Sequence, residues 1–269
     1  MWLGRRWRGP HADTGLMDDV SRRDFLRTSL IGAGALGATA AGLLAPQTAD
    51  AATGAKRFDI GQSRSGNTIR AYLIGRRDAP NRYLVMGQMH GDEPAGPLVV
   101  LNRLLKAEPI DDVALWLVPT MNPDGRRRGT RTNARGVDLN RNFPSKTWVN
   151  QGKGTRYWSG PRPGSEPETR SIVRFFSRIK PQTIISIHQP LASVDFSGGD
   201  RDVTRWLSRH LDLPKSHIQI SGGGTMTSWY NGAFPLQTAV TVELPPGTTP
   251  QYRDRVADVL LQHARHRRR

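Results

Sequence analysis

Histidine and glutamate side chains of this 269-residue chain have a spacing that suits a metal site. His90 and Glu93 lie three residues apart in a polar turn, which follows an apolar run and precedes Pro94. Open α/β sheets bind ligands at the carboxyl ends of their strands, where such a turn lies. Because the chain has no cysteine, a metal must be held by His, Asp or Glu. The turn predicts two ligands of a zinc site, and a polar turn without a metal is the alternative.

Two later polar residues end apolar runs in the same way. The run 183–187 leads to His188, and the run 239–244 carries Glu243 near its end. The carboxyl ends of parallel strands meet along one edge of a sheet, so these residues are expected to converge with His90. Catalytic zinc takes three protein ligands and leaves one position open. The convergence therefore predicts a third zinc ligand and a nearby carboxylate suited to general-base chemistry.

The elements that must position these residues alternate between strand and helix patterns. Expected strands cover 58–66 with its turn, 69–74, 83–89, 113–118, 183–187 and 239–244. Expected helices cover 94–106, 165–179, 203–211 and 251–263. This alternation predicts an α/β fold in a single domain, with a mixed, largely parallel twisted sheet flanked by helices on both faces.

Four connecting segments carry local predictions of their own. Residues 165–168 have the pattern of a helix capping box, and residues 122–125 have the composition of a turn. Residues 221–235 are predicted to form a glycine-rich loop. Residues 126–164 are rich in Arg, Asn and Gly and have little apolar periodicity. A loop of that length in a compact domain is usually functional or disordered.

The first fifty residues have the pattern of an export signal. Residues 21–26 read Ser-Arg-Arg-Asp-Phe-Leu, a twin-arginine signal. The uncharged run 30–45 is shorter than the roughly 20 apolar residues of a spanning helix, although an uncleaved anchor is the alternative. A small-residue site predicts cleavage after Ala51, and Met17 offers a second start of translation. We therefore expect an N-terminal extension and signal peptide over 1–51, a catalytic domain over 52–269, and no stable membrane span after processing.

The chain is strongly basic, with 39 Lys and Arg against 23 Asp and Glu. Residues 1–51 contain six Arg and five Asp, so the remainder keeps 33 basic and 18 acidic residues, a formal charge of +15. Such a charge favours anionic partners, and the cell wall is the one at hand for an exported protein. A solubilising surface is the alternative. No aromatic-and-basic recognition motif accompanies the charge, so no nucleic acid partner is expected.

Six segments, in the same order, resemble the zinc metallocarboxypeptidases related to carboxypeptidase A. The matching segments are His90–Glu93, Asn122–Gly125, Gly136–Phe143, Ser165–Thr169, Ser186–His188 and Thr241–Leu244. They span most of the chain after residue 51. In its short length and in the segment Gly129–Asp138, the chain is most similar to bacterial murein-peptide amidases, which resemble γ-D-glutamyl-diaminopimelate carboxypeptidases.

The resemblance implies a catalytic zinc centre with one zinc ion per chain. His90, Glu93 and His188 would be the ligands. Glu243 would be the general base for a water whose pKa zinc lowers to about 7. Asp138 would hold a ligand imidazole in the required tautomer, as metal-bound histidines usually need.

The resemblance also implies how a peptide would be held. Arg131 would polarise the scissile carbonyl and stabilise the developing oxyanion. Asn140 and Arg141 would bind the terminal carboxylate of the substrate, for which a planar guanidinium is suited. Larger digestive members of the family carry a mobile tyrosine ahead of the catalytic glutamate. Tyr230 lies in the corresponding stretch and is expected to contact substrate.

Together these observations predict a secreted, monomeric zinc carboxypeptidase that hydrolyses a C-terminal amide bond in cell-wall (murein) stem peptides. Its expected partners are a peptide with a free C-terminal carboxylate and the anionic wall, in an extracellular, periplasmic or wall-associated location. Three alternatives stay open. They are a broad-specificity extracellular carboxypeptidase, a zinc deacylase of N-acyl amino acids, and a non-catalytic wall-binding protein. The presence of Glu243 disfavours the last.

Overall fold

The computed structural model describes residues 54–266 except 196–197 and 219–222, together with the backbone of 48–49. The predicted twin-arginine motif, the apolar run 30–45 and the cleavage after Ala51 lie outside the described residues. Among the described helices, none combines the length and the apolar character that crossing a bilayer requires.

A mixed nine-stranded sheet organises the described part of the chain. Its strands are β1 Thr48–Ala49, β2 Lys56–Gln62, β3 Thr68–Ile74, β4 Asn81–Met86, β5 Val113–Val118, β6 Thr183–His188, β7 Ser193–Asp195, β8 Lys215–Ser216 and β9 Thr238–Glu243. Their spatial order is β1-β2-β3-β5-β4-β6-β9-β7-β8. The central strands β5, β4, β6 and β9 run parallel, whereas β1, β2 and β3 on one side and β7 on the other join antiparallel. The predicted α/β class with a mixed sheet is confirmed.

Six helices and a 3-10 turn accompany the sheet among the described residues. The helices are α1 Gly96–Leu104, α2 Pro123–Arg128, α3 Pro167–Ile179, α4 Arg201–Leu211, α5 Met226–Ala233 and α6 Pro250–His266, and the 3-10 turn is Leu139–Arg141. Buried side chains of α1, α4 and α6 share one apolar core with the sheet. In contrast, α3 packs against β2 and α5 packs against β9.

The central strands present their two faces to different surroundings. Successive side chains of a strand point to opposite faces. Ile185 and Ile187 of β6 belong to the apolar core shared with α1, α4 and α6. His188, one residue further, therefore points to the other face at the carboxyl end of the strand. By the same alternation, Val242 belongs to that core, and Glu243 shares the face of His188.

The capping-box prediction at the start of α3 is wrong. The helix begins at Pro167, and none of the described side chains caps its first turn. The Ser165 hydroxyl donates to Glu166 instead, at 2.7 Å. Glu168 accepts hydrogen bonds from the Arg64 backbone N–H at 2.8 Å and from Asn133 at 3.2 Å. The carboxylate of Glu168, which the local pattern assigns to the helix cap, therefore binds residues distant in the sequence instead.

Two segments predicted as turn or loop are helical. Asn122 accepts a hydrogen bond from the Gly125 N–H at 2.9 Å and so caps α2, which begins in the predicted turn. The predicted glycine-rich loop 221–235 contains α5, which the Thr225 hydroxyl caps through the Ser228 N–H at 3.1 Å. In both places a polar side chain starts a short helix within a sequence of low helix propensity.

Candidate metal centre

His90, Glu93 and His188 meet just beyond the carboxyl end of β4 and at the end of β6. The Nδ1 atoms of His90 and His188 lie 2.6 and 2.9 Å from the same oxygen of Glu93, Oε1. Each residue contributes a possible ligand atom, and these atoms all lie within 4.8 Å of one another. The structure thus brings together the three residues that the sequence predicts as zinc ligands.

The donor set fits a zinc ion. The second oxygen of Glu93, Oε2, is buried and has no hydrogen-bond partner in the described part of the chain. A buried carboxylate oxygen without a partner costs free energy, and a divalent cation would satisfy it. Imidazole nitrogens and a carboxylate oxygen are ligands that zinc accepts in catalytic sites. The three side chains could therefore hold zinc through Nδ1, Nδ1 and a carboxylate.

The turn that carries His90 is fixed by a close backbone approach. The Gly91 N–H donates to the Thr130 carbonyl at 3.0 Å. A Cβ at position 91 would collide with the carbonyl carbon and oxygen of Gly125 in α2. Only glycine leaves room for this approach, which ties the metal-binding turn to the loop that carries Arg131.

Asp138 links the ligand His90 to Arg131. Its Oδ1 lies 3.1 Å from Nε2 of His90, and its Oδ2 accepts from Nε of Arg131 at 2.9 Å. The Asn140 N–H also donates to Oδ1, at 2.9 Å. Asp138 is fully buried. Burial opposes its ionisation, but His90 and Arg131 outweigh burial and lower the pKa of this carboxyl well below its usual range. The predicted orienting contact to His90 is present.

Charge couples the ligand side chains strongly when no cation is bound. Burial alone would lower the pKa of His90, but the carboxylates of Asp138 and Glu93 raise it to about 9. Burial would raise the pKa of Glu93, but His188 and His90 lower it to about 2. Opposite charges at hydrogen-bond distance outweigh desolvation here. A cation entering the site therefore competes with the proton on His90.

Glu243 lies beside the ligands without joining them. In the parallel pairing of β6 and β9, it is the partner of His188. Its side chain is largely buried, and burial raises the pKa of its carboxyl above the usual value. The Leu191 N–H lies 3.4 Å from its Oε2. This separate carboxylate can accept and return a proton near a metal-bound substrate.

Arg141 and Asn140 line the same cleft, whose volume is about 850 Å³. Arg141 is nearly fully buried, and burial lowers the pKa of its guanidinium. One of its terminal nitrogens donates to the Asn140 carbonyl at 2.7 Å, while its Nε has no partner among the described residues. The side-chain oxygen of Asn140 accepts from the Met226 N–H at 3.0 Å, so its amide NH₂ is the group left for a ligand.

The prediction that Tyr230 contacts substrate is wrong. Tyr230 is fully buried on α5, and its hydroxyl donates to the Pro181 carbonyl at 2.6 Å. Its ring lies against Phe234, with the ring centroids 4.8 Å apart. A buried tyrosine with an apolar ring environment and one satisfied hydroxyl is a packing residue.

Tyr157 is the aromatic residue that sequence reasoning missed. It lines the cleft from the long loop 126–164. The guanidinium carbons of Arg131 and Arg141 lie 5.3 and 5.4 Å from the centroid of its ring. The only sequence signal was an aromatic residue within an arginine-rich segment too long to be an ordinary turn.

Ligand set and sheet topology together define a class of protein: a metallohydrolase with its zinc site at the carboxyl edge of an α/β sheet. The family model described as zinc carboxypeptidase matches residues 48–199. Murein peptide amidase A of Vibrio campbellii is 30% identical over 235 residues, 82% of this chain and 93% of that protein. The chain therefore belongs to the zinc carboxypeptidase family, and it is a zinc-dependent hydrolase that acts on peptide bonds.

Solved structures agree with this assignment. The crystal structure of a murein-tripeptide amidase from Escherichia coli O157 has a TM-score of 0.65 and 27% identity, and the match covers 78% of this chain and 91% of that one. Carboxypeptidase A from Helicoverpa armigera has a TM-score of 0.64 at 18% identity and covers 79% and 69% of the two chains. The second likeness supports the fold alone.

Proposed function

We propose that this protein is an exported, monomeric carboxypeptidase that removes the C-terminal residue of murein stem peptides, with His90, Glu93 and His188 as zinc ligands and Glu243 as the general base. The observation that carries the proposal is a buried guanidinium in the same cleft as the ligand cluster. Arg141 has a buried Nε that finds no partner in the described part of the chain, and its cleft also contains both histidines. An exopeptidase must bind a free carboxylate beside its reaction centre, and arginine does this with paired hydrogen bonds.

The polar groups around the cluster have two further roles, which are to stabilise the carbonyl oxygen and to bind the terminal carboxylate. Arg131 is held by two contacts of 2.9 Å to Asp138, so its guanidinium is oriented before substrate arrives. A fixed positive charge beside the scissile carbonyl stabilises the negative charge that develops on its oxygen. Arg141, with the amide of Asn140, would orient the terminal carboxylate and so select the last peptide bond.

Glu243 is the group that moves the proton. Its pKa is raised by burial, which makes its carboxylate a better base than an exposed glutamate. A zinc ion held by the neighbouring ligands would supply an activated water with a pKa near 7. Glu243 would accept the proton of the attacking water and deliver it to the amine that leaves.

Two observations support murein as the substrate source. The relatives with the coverage described above carry names that specify murein peptides. The chain is also strongly basic, with a formal charge of +16, which favours an anionic surrounding such as the wall. The twin-arginine pattern at residues 21–26 supports export, which brings the enzyme to that substrate.

A substrate panel tests the proposal. Purified protein is incubated with a murein tripeptide ending in diaminopimelate, with an ordinary peptide of L-residues, and with an N-acyl amino acid. Mass spectrometry then follows the released terminal residue. We expect the highest kcat/KM for the murein tripeptide, and the Glu243→Gln variant serves as the control for contaminating peptidases. A higher kcat/KM for the ordinary peptide would favour a broad carboxypeptidase, and one for the acyl amino acid would favour a deacylase.

A further inference from the structure

Two buried carboxylates lie behind the cleft, in the segment whose sequence pattern resembles a helix cap. Glu166 and Glu168 are fully buried at the start of α3. Both accept from one side-chain amide, because Nδ2 of Asn133 donates to Oε2 of Glu166 at 3.0 Å and to Oε2 of Glu168 at 3.2 Å. Burial raises the pKa of Glu168, and the nearby charge of Glu166 adds to the rise. Neither of these described side chains lines the cleft, and the peptide hydrolysis outlined above gives neither a task.

Asn133 closes a tight turn in the loop that carries Arg131 and Asp138. Its backbone N–H donates to the Val137 carbonyl at 2.9 Å, and its backbone carbonyl accepts from the Gly136 N–H at 3.0 Å. Its side-chain oxygen accepts from the Val137 N–H at 3.1 Å. The turn brings the chain back on itself, so that Arg131, two residues before the turn, reaches Asp138, directly after it.

The turn and the two carboxylates form one connected support for the Arg131 guanidinium. Asn133 uses its side-chain NH₂ on the carboxylates and its side-chain oxygen on the turn. An ionised carboxylate accepts hydrogen bonds but cannot donate one, so the glutamates fix which way this amide points. The orientation of the amide in turn supports the two contacts of 2.9 Å by which Asp138 holds Arg131.

We propose that Asn133, itself held by Glu166 and Glu168, is a positioning residue that places the Arg131 guanidinium beside the scissile carbonyl. The inference rests on the proposed function, in which Arg131 stabilises the oxyanion. A group that acts only on the developing negative charge lowers kcat when it is misplaced and leaves KM nearly unchanged. A displacement of about 1 Å at a reaction centre can cost roughly 100-fold in rate.

An exchange of hydrogen-bonding groups tests the contact. Asn133→Asp keeps the size of the side chain but turns its NH₂ into an oxygen that faces the two carboxylates. We expect kcat per bound zinc to fall by roughly 10- to 100-fold, with KM close to that of wild type. Adding Glu168→Gln should restore most of the lost kcat. The introduced amide can still accept from the Arg64 N–H, and its NH₂ can donate to the introduced carboxylate.

An Arg131→Ala background separates positioning from general stability. The milder Asn133→Ser should lower kcat in the otherwise wild-type chain, but by less than about threefold in Arg131→Ala, because residues of one network are not additive. Asn81→Ser is the matched control. Asn81 is buried at the amino end of β4, and its side-chain amide donates to the Ala264 carbonyl at 3.0 Å. We expect this control to lower stability and to leave kcat unchanged in both backgrounds.

Hydrogen exchange of residues 130–138 separates this inference from the proposed function. Mass spectrometry should show faster exchange of this segment in Asn133→Asp and recovery on adding Glu168→Gln, whether or not a peptide is cleaved. An active wild type with unchanged kcat in Asn133→Asp, or equal losses from Asn133→Ser with and without Arg131→Ala, would overturn the role of Asn133 and leave the carboxypeptidase function standing. A zinc-loaded wild type that cleaves no peptide would refute the proposed function, and the exchange pattern would still decide whether Glu168 holds the turn.

Discussion

At the level of single residues, the site concentrates charge where little water reaches. His90, Asp138 and Glu93 form a buried chain in which each charged group has an opposite charge at 3.1 Å or less. Removing one member of such a chain leaves an uncompensated buried charge and is strongly destabilising. A bound cation would complete the balance, because one oxygen of Glu93 has no partner among the residues that the structure describes. These charged groups thus favour the binding of a cation, and that binding depends on pH because some of them also bind protons.

Zinc affinity should depend steeply on pH. The pKa of His90 is raised from 6.5 to about 9 without a cation, so zinc must displace a proton below that pH. We expect the apparent zinc affinity to rise with pH by up to about tenfold per unit until it levels off near the raised pKa. Competition titrations against a zinc chelator at several pH values measure this. A flat profile between pH 6.5 and 9 would contradict a protonated His90.

The stability of the zinc-free protein should follow the same groups. Because the folded pKa of His90 is raised, its contribution is fully present below 6.5 and is lost as pH rises through about 9. The folded pKa of Glu93 is lowered, so its contribution is present above 4.5 and is lost as pH falls through about 2.

The ring of Tyr157 should matter more than its hydroxyl. Its contacts with Arg131 and Arg141 run through the aromatic face, at 5.3 and 5.4 Å. We expect Tyr157→Phe to retain activity and Tyr157→Leu to raise KM by roughly 3- to 30-fold, the range of a cation–π contact. Steady-state kinetics on one peptide compare the variants. Equal losses in kcat for Phe and Leu would instead assign the role to the hydroxyl.

At the level of elements, the ends of the central strands position the reactive groups. Parallel strands β4, β6 and β9 place their carboxyl ends side by side, and His188 and Glu243 are direct partners in the pairing. His90 needs an extra turn beyond β4, which Gly91 holds against α2. The proposed ligands His90 and Glu93 therefore depend on a turn, whereas the proposed ligand His188 and the proposed base Glu243 depend on the sheet itself.

The Gly91→Ala substitution should disrupt this turn. The added Cβ would meet the backbone of Gly125, which cannot rotate away as a side chain can. We expect a destabilisation of about 1 to 3 kcal/mol and weaker zinc binding, as for other overpacked positions. Thermal unfolding and zinc content measure both effects. The control is Gly152→Ala, where a Cβ meets no described atom within 4 Å, and an equal effect of both substitutions would contradict the account.

The sequence pattern correctly predicted the strands whose residues are continuously apolar. The run 113–118 coincides with β5, in which every residue is buried, because strands covered on both faces need apolar side chains throughout. The start of α3 was wrong because Glu168 has the distant partners Arg64 and Asn133. Helix α5 was missed because three of the residues 221–225 ahead of it are glycines, and its cap is a single threonine.

The sequence predicted some residues of the candidate site correctly and failed on others. The convergence of His90, His188 and Glu243 was predictable because alternating strands and helices indicate parallel strands, whose carboxyl ends share one edge of the sheet. Tyr230 was misjudged and Tyr157 was missed because sequence neighbours do not reveal which aromatic side chain faces the cleft. Tyr230 is buried where α5 packs against its neighbours, whereas the long loop 126–164 places the ring of Tyr157 against Arg131. The catalytic roles of the cluster residues stay predictions that the experiments above and below test.

At the level of the whole molecule, the net charge and the proposed export are the features that would relate the enzyme to its surroundings. The exposed arginines at 126–128 contribute to the formal charge of +16. The predicted extension at 1–51 adds only +1, because its six Arg are nearly balanced by five Asp. Excess positive charge raises the local concentration of enzyme near an anionic polymer, and salt screens the effect. Such association would increase the encounter rate with stem peptides without any contact in the cleft.

Binding to purified cell wall should therefore be sensitive to salt. We expect the protein to cosediment with wall fragments at low ionic strength and to be released at about 1 M salt, where screening acts over about 3 Å. Densitometry of pellet and supernatant quantifies the bound fraction, with a serum albumin of opposite charge as the control. Retention that is unchanged at high salt would contradict an electrostatic attraction.

Zinc content measured together with turnover tests the central claim most directly. Elemental analysis and peptide hydrolysis are compared for wild type, Glu243→Gln and His188→Ala, with folding checked by circular dichroism. The account predicts one zinc per chain in wild type, retained zinc with a roughly 100- to 10,000-fold loss of kcat in Glu243→Gln, and loss of both in folded His188→Ala. Full zinc and full turnover in His188→Ala would contradict it.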